Sequence, residues 1–178
     1  MPLKPQDLLV SLHLALLPGD RGWTYAQLAA ALEMSDSEAN SAVRRSGEAG
    51  LLTPERGRGA KPRPVRGALL EFIEHGVRFA FYASPAEQTR GVPTAYSARP
   101  LNQLIESGSS SVVVWPDAKG KARGQALAPL YPTVPSVARR DWRLYEVLAL
   151  VDAVRIGRAR ERKLACKELR NRLVDGDA

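Results

Sequence analysis

A short stretch near the N-terminus carries polar and guanidinium side chains at a spacing suited to contact with nucleic-acid bases. Small apolar residues recur at helical spacing, at Ala39, Ala42 and Val43, which predicts a helix with one buried face. The residues that this period turns outward are Ser37, Asn40, Ser41, Arg44 and Arg45. Because hydroxyl, amide and guanidinium groups form hydrogen bonds with base edges in a major groove, we predict a recognition helix over 36–48.

Capping and turn residues set the limits of the elements that would hold this helix. Thr24 is a predicted N-cap for a preceding helix, whose apolar face consists of Leu28, Ala29 and Leu32. After a turn, Ser35 and Glu38 have the S-x-x-E spacing in which two side chains reciprocally cap backbone N–H groups. Gly50 ends the second helix, and an extended segment begins at 51–52. The pattern therefore predicts two short helices, a tight turn and a strand.

A basic segment follows directly, over 53–66, and its glycines and prolines are incompatible with a helix. Its position after the recognition helix is that of a wing. Basic side chains on such a loop can follow a phosphate backbone or enter a narrow minor groove. The predicted wing contacts are Arg56, Arg58, Lys61 and Arg63, with Thr24 and Tyr25 as further phosphate contacts. The alternative interpretation is a solvated charged loop.

This order of elements resembles the helix-turn-helix of winged-helix transcriptional regulators, most nearly those of the MarR type. The matching features are Leu28-Ala29, the turn Glu33 to Ser35, the helix Asp36 to Glu48, and Ala49-Gly50-Leu51-Leu52. The resemblance covers about the first third of the chain and implies DNA binding through the second helix and the wing. One departure is Ser46-Gly47, where the family usually has a large apolar residue, so a frayed or loosely seated helix end is expected. An amphipathic helical hairpin in an unrelated domain is the alternative.

Composition favours a polyanionic partner. The chain has 178 residues and a formal net charge of +7, with a sequence pI of about 9.9. Such a charge attracts phosphates, so nucleic acid is the first expectation and an anionic membrane surface the second. Cys166 is the single cysteine, which excludes an intramolecular disulfide and disfavours a cysteine-based zinc site. We expect a cytoplasmic protein without a membrane span, a metal or another cofactor.

The predicted fold class is mainly α with a small β-wing, an α+β arrangement in three parts. Residues 1–82 form the winged helix-turn-helix domain, with further helices at Pro5 to Leu17 and Gly67 to Gly76. Residues 83–134 form an irregular connector that contains one short strand at 112–115, and residues 135–178 form a helical segment for dimerisation or partner binding. The last segment combines an apolar stripe with many basic residues, so it either pairs with a second copy of the chain or provides another nucleic-acid surface.

These features together predict a sequence-specific, DNA-binding transcriptional regulator that acts as a homodimeric repressor and not as an enzyme. The alternative is an antitoxin-like or defence-associated autoregulator that binds a partner protein through its C-terminal part. A metal-dependent nucleic-acid enzyme is a second alternative, and the carboxylates that it would use are Glu71, Glu74, Asp117, Asp141 and Asp152. These carboxylates show no paired spacing and are more often ion-pair partners in such a basic chain.

Overall fold

The computed structural model describes residues 2–19, 22–54, 60–105 and 111–175. Within these ranges the fold is mixed α and β, mainly helical with a small three-stranded sheet, which agrees with the predicted α+β class. The helices are α1 (Pro5–Leu16), α2 (Tyr25–Leu32), α3 (Asp36–Glu48), α4 (Arg66–His75), α5 (Val77–Ala80), α6 (Leu101–Leu104), α7 (Val134–Ala138), α8 (Trp142–Ile156) and α9 (Ala159–Leu173). The strands are β1 (Gln88–Pro93), β2 (Val113–Pro116) and β3 (Ala122–Ala126).

The predicted pair of helices and the turn between them are present at α2 and α3. The Thr24 hydroxyl accepts the backbone N–H of Gln27, and the Ser35 hydroxyl accepts that of Glu38 at 3.1 Å. Both N-cap predictions are therefore confirmed. The reciprocal cap predicted from Glu38 to Ser35 is wrong, because the Glu38 carboxylate turns away from Ser35 and accepts hydrogen bonds from the Gln6 and Arg45 side chains. Glu33, in the left-handed region at φ 52°, ends α2 and reverses the chain.

The segment after α3 forms a short antiparallel pair with the chain that precedes α4. The Thr53 N–H donates to the Arg63 carbonyl at 2.8 Å, and the Val65 N–H donates to the Leu51 carbonyl at 2.9 Å. Leu52 lies between them, opposite Pro64, and is buried. These bonds bring the base of the predicted wing back to the helices, whereas residues 55–59 lie outside the described part of the chain.

The connector predicted over 83–134 contains the one short strand expected at 112–115, which is β2. The prediction that the rest of this range is irregular is wrong, since it also contains β1 and β3. β1 pairs antiparallel with both β2 and β3, and β2 pairs parallel with β3, so that the small sheet closes on itself. Closure brings backbones unusually close together. A Cβ atom on Gly91 would overlap the Trp115 carbonyl, and one on Gly124 would overlap the Val112 carbonyl. The glycines that suggest a loop in the sequence are therefore what permits the strands to meet.

The predicted C-terminal helical segment contains α7 and two longer helices, α8 and α9, which Gly157 separates. The apolar stripe of α8 is not left for a second copy of the chain. Leu144, Val147, Leu148 and Val151 are each at most 1% exposed, because α8 packs against α1, α5, α7 and α9. The burial that we expected from dimerisation is therefore supplied within one chain.

Asp152 on α8 connects the sheet to the helices. One carboxylate oxygen accepts the Thr94 hydroxyl at 2.8 Å and the Trp115 indole N–H at 2.6 Å, while the other accepts the Arg155 guanidinium at 2.6 Å. Burial raises the pKa of Asp152, and the three donors oppose that shift. Arg155 also donates to the Phe81 carbonyl. Apolar residues from all three predicted parts accordingly lie in one continuous core. No helix in the described ranges has the length and apolar character needed to cross a bilayer.

Candidate nucleic-acid interface

The outward face of α3 carries three of the predicted base-contacting residues. Ser37, Asn40 and Arg44 are exposed, and Ser41 is half-buried. The Arg44 side chain is 61% exposed, and its Nε lies 4.0 Å from the Glu48 carboxylate one turn further along. An exposed contact of this length between charged groups on one helix contributes only a few tenths of a kcal/mol, about 0.3–0.5. The contact with Glu48 is therefore a weak one.

A groove of about 450 Å³ runs beside this face, between α3 and the base of the predicted wing. Asn40 and Arg44 line one wall, while Thr53 and Pro54 line the other, and Tyr25 closes the end formed by α2. The Thr53 hydroxyl accepts the Arg63 N–H at 2.9 Å, which fixes the second wall. Thr53 is a site residue that the sequence pattern does not indicate, since its place in the groove depends on the pairing of 51–53 with 63–65.

The predicted exposure of Arg45 is wrong. Its side chain is only 4% exposed, and it forms a bidentate ion pair with Asp7 of α1, with Nε–Oδ2 at 2.8 Å and Nη2–Oδ1 at 2.6 Å. Nη2 also donates to the Glu38 carboxylate at 2.6 Å. The hydrogen bonds to Asp7 raise the pKa of Arg45, so the guanidinium stays charged inside the protein. Arg45 therefore holds α3 against α1 and does not lie on the exposed face of α3.

The same network explains the departure at Ser46. This residue is fully buried, with its Oγ 3.0 Å from Ser11 Oγ and 3.2 Å from the Asp7 carbonyl oxygen. A small hydroxyl allows α1 to approach α3 closely where the resembled family has a large apolar side chain. The expected frayed end is therefore wrong, since α3 continues to Glu48 and polar contacts hold its second half.

Glu38 is the acidic member of this network nearest to solvent, with its side chain 27% exposed. Burial acts to raise the pKa of Glu38, but hydrogen bonds from Arg45 and Gln6 outweigh it, and the net shift is downward. The carboxylate is therefore ionised near neutral pH. It completes an Asp7–Arg45–Glu38 cluster that joins α1 to the first and last turns of α3.

Two of the four predicted wing contacts lie in the part of the chain that the structure describes. Arg56 and Arg58 lie outside the described ranges, whereas Lys61 and Arg63 are exposed. The Lys61 ammonium lies over the Tyr25 ring, 4.1 Å from its centroid, and 5.1 Å from the centroid of Trp23. Such cation–π contacts are worth about 0.5–1 kcal/mol at exposed sites, and they hold this basic residue beside the start of α2.

Thr24 and Tyr25, the predicted phosphate contacts, are at the same end of α2. The Thr24 oxygen accepts the Gln27 N–H as the N-cap, which leaves its hydroxyl proton available to an acceptor. The Tyr25 ring packs edge-on against Trp23 at a centroid distance of 5.3 Å. The structure thus brings Thr24, Tyr25, Asn40, Arg44 and Lys61 to one side of the N-terminal helices.

The carboxylates of the enzyme alternative do not converge. Asp152 is buried with its three donors, Asp141 caps α8, and Glu74 lies 3.4 Å from Arg170. Asp117 pairs with Arg139, and Glu71 is exposed on α4. Among the residues that the structure describes, no three His, Cys, Asp or Glu side chains are grouped as metal ligands would be.

Cys166 on α9 is half-buried, and burial raises the pKa of its thiol. A thiol in this condition has little of the thiolate character that reactive cysteines need. It packs against the core as a small apolar side chain.

Comparison of the chain with protein-family models, with curated proteins and with solved structures finds no match.

Proposed function

We propose that the protein is a sequence-specific DNA-binding regulator that inserts α3 into the major groove of duplex DNA. The observation that carries this proposal is the groove in which Asn40 and Arg44 stand exposed beside Tyr25 and Thr53. Arginine recognises guanine through O6 and N7, and asparagine recognises adenine through N6 and N7. The two residues are four positions apart, and therefore neighbours on one helix face.

The support behind α3 favours base reading. A side chain that distinguishes bases must be held in a fixed position, and α3 is fixed to α1 by the buried Arg45–Asp7 pair. Ser46 adds contacts to α1 along the same side. The exposed residues of α3 therefore project from a helix that an ion pair and hydrogen bonds hold against α1.

The basic segment after α3 would contact the phosphate backbone. Lys61 and Arg63 are exposed beside the groove, and Arg56 and Arg58 precede them in the chain. Thr24 and Tyr25 would contact phosphate from the start of α2. Contacts of this kind position a protein on DNA and make its affinity depend on salt, while the α3 contacts carry the sequence preference.

In this proposal the protein is a cytoplasmic repressor. It acts as a homodimer, because a single helix contacts few bases and such proteins usually bind two half-sites as dimers. The stripe on α8 does not support dimerisation, since it is buried within the chain.

The autoregulator alternative has one observation in its favour. Trp142 at the start of α8 is 65% exposed and borders a groove of about 700 Å³ with Leu16, Leu17 and Arg143.

Selection from a random pool of DNA duplexes tests the proposal. The protein is incubated with the pool near physiological salt, and the bound molecules are sequenced over successive rounds. We expect one motif to be enriched. Enrichment of no motif, with binding that disappears as salt rises, would contradict sequence-specific recognition.

A further inference from the structure

The outer face of the β1–β3 ladder carries two arginines directly opposite each other. Arg90 of β1 is the register partner of Arg123 of β3, and both residues are exposed. Side chains of register partners in an antiparallel pair lie on the same face, with Cβ atoms about 4.5–5.5 Å apart. The two arginine side chains therefore start from neighbouring positions on the same exposed face.

Nothing in the described part of the chain neutralises this pair. Neither guanidinium forms an ion pair or a side-chain hydrogen bond with a described residue. Asp117 is the nearest acid on the β2–β3 turn, and its carboxylate pairs with Arg139 instead. Like charges directly opposite each other destabilise a sheet, so the arrangement has a cost that an anionic partner would remove.

The rest of this face suits an extended polyanion. Gln88 and Gln125 are the next register pair on the same side of the ladder, and their amides can donate to phosphate oxygens. Lys119 and Lys121 are exposed on the turn that enters β3. The opposite side of the ladder carries Thr89, which is half-buried, and the buried Gly91 and Gly124.

The ladder is also tied to the helix-turn-helix region by two adjacent residues. Arg139 pairs with Asp117 at the start of the basic turn, and Arg140 donates to Glu33 between α2 and α3 at 2.5 Å. The Ser136 hydroxyl donates to the same Glu33 oxygen at 2.9 Å. The basic ladder and the reading helix are therefore parts of one connected framework.

We propose that the outer face of the β1–β3 ladder is a second DNA contact surface, in which Arg90 and Arg123 together bind the phosphate backbone of the duplex. The proposal rests on the proposed function for its ligand, duplex DNA, but it assigns a separate surface. Paired arginines reach neighbouring phosphate oxygens with bidentate geometry, and the contact carries no sequence information.

The salt dependence of binding tests this surface. Affinity for a labelled random-sequence duplex is measured between low and physiological salt for the wild type and for Arg90→Gln/Arg123→Gln. Each phosphate contact contributes about 0.9 to the slope of log affinity against log salt, so the slope should fall by about 1.8. The matched control is Arg160→Gln/Lys163→Gln, which removes two exposed charges from α9 and should leave the slope nearly unchanged.

Two more variants separate contact from folding. Arg90→Lys/Arg123→Lys keeps both charges and should retain the slope. Arg90→Glu places a carboxylate opposite Arg123, so it should fold at least as well as the wild type and still weaken binding. Equal losses in the ladder and α9 variants, or an unchanged slope in a folded ladder variant, would overturn the proposal, as would a wild type that binds no duplex at low salt.

The α3 variant Arg44→Ala distinguishes this proposal from the proposed function. If the ladder variant keeps the wild-type salt dependence while Arg44→Ala loses sequence preference, the ladder is not a DNA contact surface and the proposed role of α3 stands. The reverse result would refute the reading helix alone.

Discussion

Arg45 on α3 and Asp7 on α1 form a bidentate ion pair inside the protein, with the arginine side chain 4% exposed and the aspartate fully buried. The pair spans two helices that are adjacent in space but separated in sequence by α2. It attaches the last turn of α3 to α1, and it leaves Arg44, the next residue toward the N-terminus, as the arginine that faces solvent.

Removing one partner of this pair should destabilise the fold strongly. Arg45→Met leaves the Asp7 carboxylate buried without its main donor, and the loss of one member of a buried pair typically costs about 3–5 kcal/mol. Chemical denaturation measures the free energy of unfolding. Exposed Arg44→Met is the matched control, with an expected change within about 0.5 kcal/mol.

The double variant Arg45→Met/Asp7→Leu should be more stable than the sum of the single variants predicts, because it removes both members of the fully buried pair. Only the partly exposed Glu38 carboxylate then lacks its arginine partner. Additive losses would mean that the two side chains do not interact and would contradict the observed pair.

Acid should destabilise the protein partly through Glu38. Its pKa is lowered from an ordinary value of 4.5 by hydrogen bonds from Arg45 and Gln6 that outweigh burial. The folded state therefore holds fewer protons than the unfolded state in this window. The stability that Glu38 contributes is fully present above about pH 5 and is lost as pH falls through the folded pKa.

Glu38→Gln tests that contribution, since the amide keeps the shape but does not titrate. Between about pH 5 and pH 3, the free energy of unfolding of the variant should fall less steeply than that of the wild type. Parallel curves for the two proteins would show that the pKa of Glu38 is the same in both states. Exposed Glu71→Gln is the control and should follow the wild type.

The basic segment after α3 should make a salt-dependent contribution to binding. Lys61→Gln/Arg63→Gln removes two described, exposed charges and should reduce the slope of log affinity against log salt by about 1.8. Specific and random duplexes should lose affinity together if the contacts are to phosphate. Preferential weakening on A·T-rich sites would instead indicate insertion into a narrow minor groove, and an unchanged slope would remove the segment from the interface.

Local signals in the sequence were sufficient to predict α2, α3 and the turn between them, but insufficient to assign which side of each helix is buried. Thr24, Ser35 and Gly50 predict helix limits because capping is a property of neighbouring residues. Arg45 lies only about 60° around the helix from buried Ala42, at roughly 100° per residue, so helical period places it at an edge. Its burial depends on Asp7, which belongs to another helix and cannot be located from spacing.

Two other errors have the same origin in contacts between distant segments. Gly91 and Gly124 suggest a loop, yet they are the positions at which three strands close together. The stripe on α8 predicts burial correctly, but periodicity does not distinguish a partner helix in the same chain from one in a second copy. The site residue Thr53 was missed for a related reason, since only strand pairing brings it to the groove.

Oligomeric state tests the homodimer directly. Light scattering at tens of micromolar should return about twice the chain mass of 19.4 kDa, and the selected DNA motif should contain two half-sites about one helical turn, or a multiple of it, apart. A mass equal to that of one chain, together with a selected motif that contains a single half-site, would refute the dimer. It would not affect the proposal that α3 reads bases.

Sequence reading by α3 is tested by comparing the affinities of the wild type and of Arg44→Ala for the selected site and for a scrambled duplex. If Arg44 reads a base, the variant should lose about 1–3 kcal/mol of binding free energy on the selected site and much less on the scrambled one. Glu71→Gln, on the exposed side of α4 and outside the groove, is the control and should retain the preference. Equal loss on both duplexes, or no loss on either, would contradict sequence reading by the exposed face of α3.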